Sequence, residues 1–180
     1  MPLFAPLVVV LALTGGAQGV VQELDKKDLL VIDGEKDPSQ IPEWLAWETA
    51  FTLLQGWHGR DNGFTHDLRE SLLPREWELL EQEGLAQNTR QARREQRAAK
   101  WAQKYPYETT TDPAVVARAN DEAFAIDLDY RREMLDARDR LLAAFSSDSH
   151  VALFNWLQER KASVTAFVRK PDLERWRLPE

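Results

Sequence analysis

Nine apolar residues, Val116, Ala119, Ala123, Ile126, Tyr130, Met134, Ala137, Leu141 and Phe145, follow one another at intervals of three or four. An α-helix gathers such residues into a single stripe, so this spacing predicts one helix of about eight turns with one buried face. Asp112-Pro113 supplies its N-cap and first-position proline. Asp127 with Arg131 and Asp136 with Arg140 form i,i+4 pairs expected on the outer face. A helix of that length needs other helices to cover its stripe, and the rest of the chain provides them.

Pro42 opens a helix in which Trp44, Trp47, Phe51 and Leu54 share a face. Thr65 caps a short helix reaching Leu72, and Pro74 starts a segment running toward Tyr105 with Trp77, Leu80 and Leu85 as its stripe and Gly84 as a point of kinking or division. After Ser146 to Asp148, Ser149 caps a last helix expected to carry Leu153, Phe154, Leu157, Val164 and Phe167. So short a link predicts that the last two long helices form an antiparallel hairpin. The only strand-like run is Leu29 to Ile32, ended by the turn dipeptide Asp33-Gly34. The expected fold is all-α: a bundle of four to five helices with a long C-terminal antiparallel hairpin, in one domain over 20–180 with 20–40 extended or irregular.

Residues 1–19 read differently. An uncharged apolar run from Leu3 to Leu13 precedes Thr14-Gly15-Gly16-Ala17-Gln18-Gly19, with Ala17 and Gly19 at the minus-three and minus-one positions of a cleavable export signal. Eleven residues fall short of the roughly 20 needed to span a bilayer as a helix. The alternative is an apolar strand or helix packed on the domain. Released by cleavage, the chain would be extracytoplasmic, periplasmic or secreted.

The phrase Asp33-Gly34-Glu35-Lys36-Asp37-Pro38-Ser39-Gln40-Ile41-Pro42-Glu43-Trp44-Leu45-Ala46 resembles a segment near the mature N-terminus of some uncharacterised exported bacterial proteins. The resemblance covers about a tenth of the chain and implies a bacterial, extracytoplasmic setting, with no activity attached. Physically the phrase is an entry turn, with Ile41 able to staple onto the first helical turn. Asp33, Glu35, Asp37 and Ser39 alternate like calcium-loop ligands, but Pro38 stands where an EF-hand needs Gly and Trp44 where it needs Glu. A solvated acidic turn is the better reading.

Charge narrows the chemistry. With 23 Lys plus Arg against 30 Asp plus Glu, the net charge of -7 argues against nucleic acid as a partner. The absence of cysteine excludes disulfides, a thiol nucleophile and thiolate metal sites. One segment is basic: Arg90, Arg93, Arg97, Lys100 and Lys104 recur at three and four, with Arg94 alongside, and a helix would align them to meet an acidic protein, an envelope polymer or an anionic lipid surface. The alternative is that the stripe pairs with the protein's own acidic first half or sits in solvent. The glycine-rich loop Gly56–Asp67 holds His58, Asp61, His66 and Asp67, the residues able to form an acid/base pair or to ligate zinc. Their spacing matches no established motif, so no metal and no cofactor is assigned. Trp57 in that loop and Trp176 in the C-terminal tail stand apart from the apolar stripes. The sequence thus favours an exported helical binding or structural module, and leaves a metal-assisted or acid/base hydrolase centred on His58 to Asp67 as the competing class.

Overall fold

The computed structural model describes residues 7–9, 29–56, 65–106 and 112–177. It is an all-α bundle with a small sheet at one side. The helices are α1 (Glu43–Gly56), α2 (His66–Ser71), α3 (Pro74–Lys104), α4 (Pro113–Ala144), α5 (Ser147–Ala162) and α6 (Leu173–Arg177). The strands are β1 (Leu7–Val9), β2 (Leu29–Asp33) and β3 (Val164–Arg169), in the order β1-β3-β2.

α1 is the centre, packed against α3, α4 and α5. Its apolar residues surround it: Trp44, Leu45, Ala46, Trp47, Ala50 and Phe51 are all buried, which explains why so short a helix carries so few charges. Each such aromatic contributes on the order of 1.5 to 3 kcal/mol through area removed from water. The α4 stripe lies inward as expected at Tyr130, Met134, Ala137, Leu141 and Phe145, while Val116 near its start is exposed.

α3 runs unbroken through Gly84. The glycine is there for proximity: a Cβ at Gly84 would sit 2.7 Å from the Leu54 Cβ of α1, so the two helices approach more closely than a side chain permits. Leu85, expected on the buried stripe, faces outward instead.

The long antiparallel hairpin is α3 with α4, not α4 with α5. Contacts run in descending register from Glu76–Ser146 through Arg93–Glu133 to Lys104–Glu122. Phe145 (φ -91°, ψ 150°) and Ser146 (φ -70°, ψ 161°) are both extended and turn the chain by two residues of non-helical backbone. α5 therefore leaves α4 and packs on α1 and α2.

The last helix also ends earlier than its apolar residues imply. α5 stops at Ala162, and Val164–Arg169 forms β3, pairing antiparallel with β2 from Leu29↔Arg169 to Asp33↔Thr165. Val164, Ala166 and Val168 are buried and alternate with partly exposed Thr165 and Phe167, which is strand periodicity. Phe154, assigned to the core on helical spacing, is 61% exposed. Gly34 follows β2 where a Cβ would fall 1.9 Å from the Lys161 carbonyl oxygen, and its N–H donates to Val164 O at 2.9 Å. Only glycine fits that junction of sheet and helix.

On its other edge β3 takes β1 in parallel, Leu7↔Val164, Val8↔Thr165 and Val9↔Ala166. β1 belongs to the apolar run read as an export signal.

Candidate functional site

The basic stripe lies along α3 facing α4, and acidic residues of α4 meet it. Arg93 pairs with Glu133 at 2.6 Å, Arg97 with Asp129 at 2.7 Å, and Lys104 with Glu122 at 2.7 Å. The Lys104 bond raises the pKa of the amine and lowers that of Glu122. Arg90 is a core residue: 5% exposed, it ion-pairs with Glu83, donates to the Glu83 carbonyl at 3.0 Å and lies over the Phe51 ring. Lys100 is exposed and makes no ion pair among the described residues. Arg93, Arg97 and Lys104 thus form an internal zipper with acids of α4, while Arg90 pairs within α3, with Glu83 of the chain's acidic first half.

Behind the zipper, α1, α3 and α4 enclose a polar cluster that periodicity did not reveal. The Tyr130 hydroxyl donates to Glu48 Oε1 at 2.8 Å and accepts from Gln87 Nε2 at 2.7 Å. Arg94 grips Asp127 Oδ1 through Nε at 2.9 Å and Nη2 at 2.6 Å, and its guanidinium stacks over Tyr130. Burial raises the Glu48 pKa, against the opposing pull of the Tyr130 hydroxyl and the Arg94 charge. Burial, and then the negative charge of Glu48, raises that of Tyr130. Glu48 Oε2 and Gln87 Oε1 are buried without a protein hydrogen bond. These groups hold helices together, and a protonated Glu48 is the state burial favours.

Arg131, expected on the outer face with Asp127, is 1% exposed. It lies 3.6 Å from Asp127, stacks on Trp44 at 4.5 Å, and donates to the carbonyls of Arg175 at 2.6 Å and Trp176 at 3.2 Å. Trp44 Nε1 donates to the same Trp176 carbonyl at 3.2 Å, so these two residues cap the C-terminal end of α6. Trp176 is fully buried, which makes the tail a structural clasp. Asp136 likewise leaves Arg140 to Glu83, at 2.8 Å.

The histidine loop yields no assembled centre among the described residues. Trp57, His58 and Asp61 lie outside those residues. His66 and Asp67 open α2, both exposed, with His66 Nε2 3.3 Å from Glu70. No group of three metal-ligating side chains occurs among the described residues. His150 is tied down by a 2.8 Å contact from Nε2 to the Leu142 carbonyl. In the acidic entry turn, Asp33 bonds Lys36 and the Glu35 N–H, while Asp37 accepts from Ser39 and Gln40, so both carboxylates are held below the ordinary range by their neighbours. A cleft of about 390 Å³ between this turn and Lys161 and Arg177 has one carboxylate, Glu43, which Arg138 already engages.

The surface with unspent binding capacity is the outer face of α5. Ser149, Leu153, Trp156 and Leu157 point inward, and on the opposite side Ser147, Val151, Phe154, Asn155 and Gln158 line up. Val151 is 62% and Phe154 61% exposed, and no Asp, Glu, Lys or Arg occurs from Ser149 to Gln158. Leu73, 58% exposed, adjoins the start of this helix, because its N–H and the Ser149 hydroxyl share Glu76 Oε2 at 2.9 and 2.5 Å. In a chain of which 29% is charged, an uncharged helix face with exposed Val and Phe is the exception. Sequence spacing missed it because Phe154 fits a helical stripe; what marks it is the ten-residue gap in charge.

No helix of the described residues is long and apolar enough to cross a membrane. Comparison with protein-family models, curated proteins and solved structures returns no match for this chain.

Proposed function

We propose that the protein is an exported helical binding module of the bacterial envelope, which holds a partner protein on the outer face of α5. The observation that carries this reading is the exposure of Val151 and Phe154 on a helix face without charge. Apolar side chains kept in water cost free energy that burial against a partner recovers, on the order of 25 cal/mol per Å². Arg93, Arg97 and Lys104 of α3 are engaged with acids of α4, so the partner sought is apolar at its contact and not polyanionic. The export signal of residues 1–19 and the entry phrase at 33–46 support the extracytoplasmic setting.

The test replaces Val151 and Phe154 together by Asp in the full chain. Because both side chains are exposed, the thermal midpoint is expected to stay within about 4 °C of the parent, in line with about 0.5 kcal/mol or less for each of the two surface substitutions. Native mass spectrometry of the protein drawn gently from its envelope fraction is expected to show a complex for the parent and a bare chain for the double variant. Equal complex formation by both would refute the assignment of the surface.

A further inference from the structure

The sheet offers a second binding element, and its use depends on the export reading. β3 is bordered on one edge by β2, in register over five residue pairs. On the other edge its partner among the described residues is β1, the three residues Leu7–Val9. Those three lie inside the apolar run that cleavage after Gly19 would remove. Removal leaves the N–H and C=O groups that face β1 along Val164–Ala166 without a strand partner.

We propose that processing after Gly19 uncovers the outer edge of β3, which then accepts an extended, uncharged apolar strand from a partner protein, in parallel, by backbone pairing. The occupant's chemistry is read from the segment seated there: Leu7, Val8 and Val9 are apolar, two of them β-branched, and they pair parallel to Val164, Thr165 and Ala166. The edge has no intrinsic block against pairing. Among Val164–Val168 there is no charge and no proline, the two devices that commonly protect an edge. Its other side is firmly held: Ile32, Val164, Ala166 and Val168 are buried in the main core, and Gly34 locks the β2 turn onto Val164. The receiving strand is therefore rigid before a partner arrives, which lowers the ordering cost of strand addition. In the unprocessed chain the same edge is occupied in cis, so the leader also keeps the edge closed until export is complete.

The experiment uses the protein purified from its own envelope fraction, with intact mass measured first. The probe is a fluorescent peptide carrying residues 5–12, Ala-Pro-Leu-Val-Val-Val-Leu-Ala, with flanking lysines for solubility. A second peptide has Val8→Pro, which removes a backbone donor and resists strand pairing. Expected are a mass that lacks residues 1–19, saturable binding of the first peptide, binding of the second weaker by about ten-fold or more, and slowed amide exchange over Val164–Ala166 on binding. A chain that cannot be cleaved, with Ala17→Leu, is expected not to bind because its own leader fills the edge. A purified protein still bearing residues 1–19 would overturn the export reading and this proposal with it. A correctly processed protein that binds both peptides alike, binds neither, or shows no protection at Val164–Ala166 would overturn the edge proposal and leave export standing.

Discussion

Replacing Glu76 by Gln changes one charge and almost no volume, yet it is expected to be among the most damaging single substitutions in the molecule. Glu76, 4% exposed, accepts from three donors on three parts of the fold: Leu73 N at 2.9 Å before α3, Ser146 N at 2.7 Å in the α4–α5 link, and Ser149 Oγ at 2.5 Å in α5. Burial pushes its pKa up, but the Ser149 hydroxyl and the two backbone donors outweigh burial and hold it below the ordinary glutamate value. A Gln side chain keeps one acceptor oxygen and turns an N–H₂ toward the remaining donor. One hydrogen bond is then lost, and the others fall from the charge-assisted range of about 1.5 to 3 kcal/mol toward the neutral range of about 0.5 to 1.5 kcal/mol. The loss is on the order of 4 kcal/mol, or about 8 to 16 °C in thermal midpoint for a domain of this size. Urea unfolding followed by circular dichroism measures it, with the slope expected unchanged because the surface exposed is the same. The pH dependence has a definite sign. A carboxylate whose folded pKa is depressed contributes stability above its unfolded value, and that stability disappears as pH falls through the folded value. The difference between parent and variant should therefore shrink in acid. A Glu76→Gln variant within about 0.5 kcal/mol of the parent at pH 7 would refute the view that this carboxylate ties the hairpin to α5.

Two other perturbations read separate parts of the fold. Glu48 has the opposite linkage: burial raises its folded pKa, so between the unfolded value and the folded value stability falls with rising pH, by up to about 1.4 kcal/mol per pH unit. Glu48→Gln should flatten that decline in a stability–pH profile recorded upward from the ordinary glutamate range, and an unchanged profile would show that Glu48 stays ionised in the fold. Reversing Arg93 to Glu should cost about 1 kcal/mol at low salt by placing it against Glu133, and the added Glu133→Arg should restore most of it. Failure of that charge swap to rescue would mean the α3–α4 zipper contributes nothing specific.

The long helices were legible because their apolar residues keep helical spacing and their ends carry Asp112-Pro113, Leu73-Pro74 and Pro42. β2 was legible as a strand ended by Asp33-Gly34. Partner choice was not. A short link between α4 and α5 argues for a hairpin only if the link reverses the chain, and two extended residues at Phe145 and Ser146 redirect it instead. β3 was hidden because Leu153, Leu157, Val164 and Phe167 continue a helical count, although the β-branched alternation at Val164-Thr165 was already the competing signal. The basic residues of α3 were visible as a stripe, but where their partners lay depended on the antiparallel register with α4, which local charge bookkeeping does not contain. Arg131 was misplaced for a related reason: an i,i+4 pair with Asp127 reads as surface, whereas Trp44 and the carbonyls of Arg175 and Trp176, far away in sequence, draw the guanidinium inward.

The binding surface on α5 is tested most directly by contact. A photo-reactive benzoyl group placed at position 154 in the cell, with the same group at Gln103 on α3 as a control, reports whether that face touches another protein before any purification. A discrete adduct at position 154 that is absent at position 103 is the expected result. No adduct at position 154, or the same adduct at both, would contradict the assignment of α5 as the face on which this protein works.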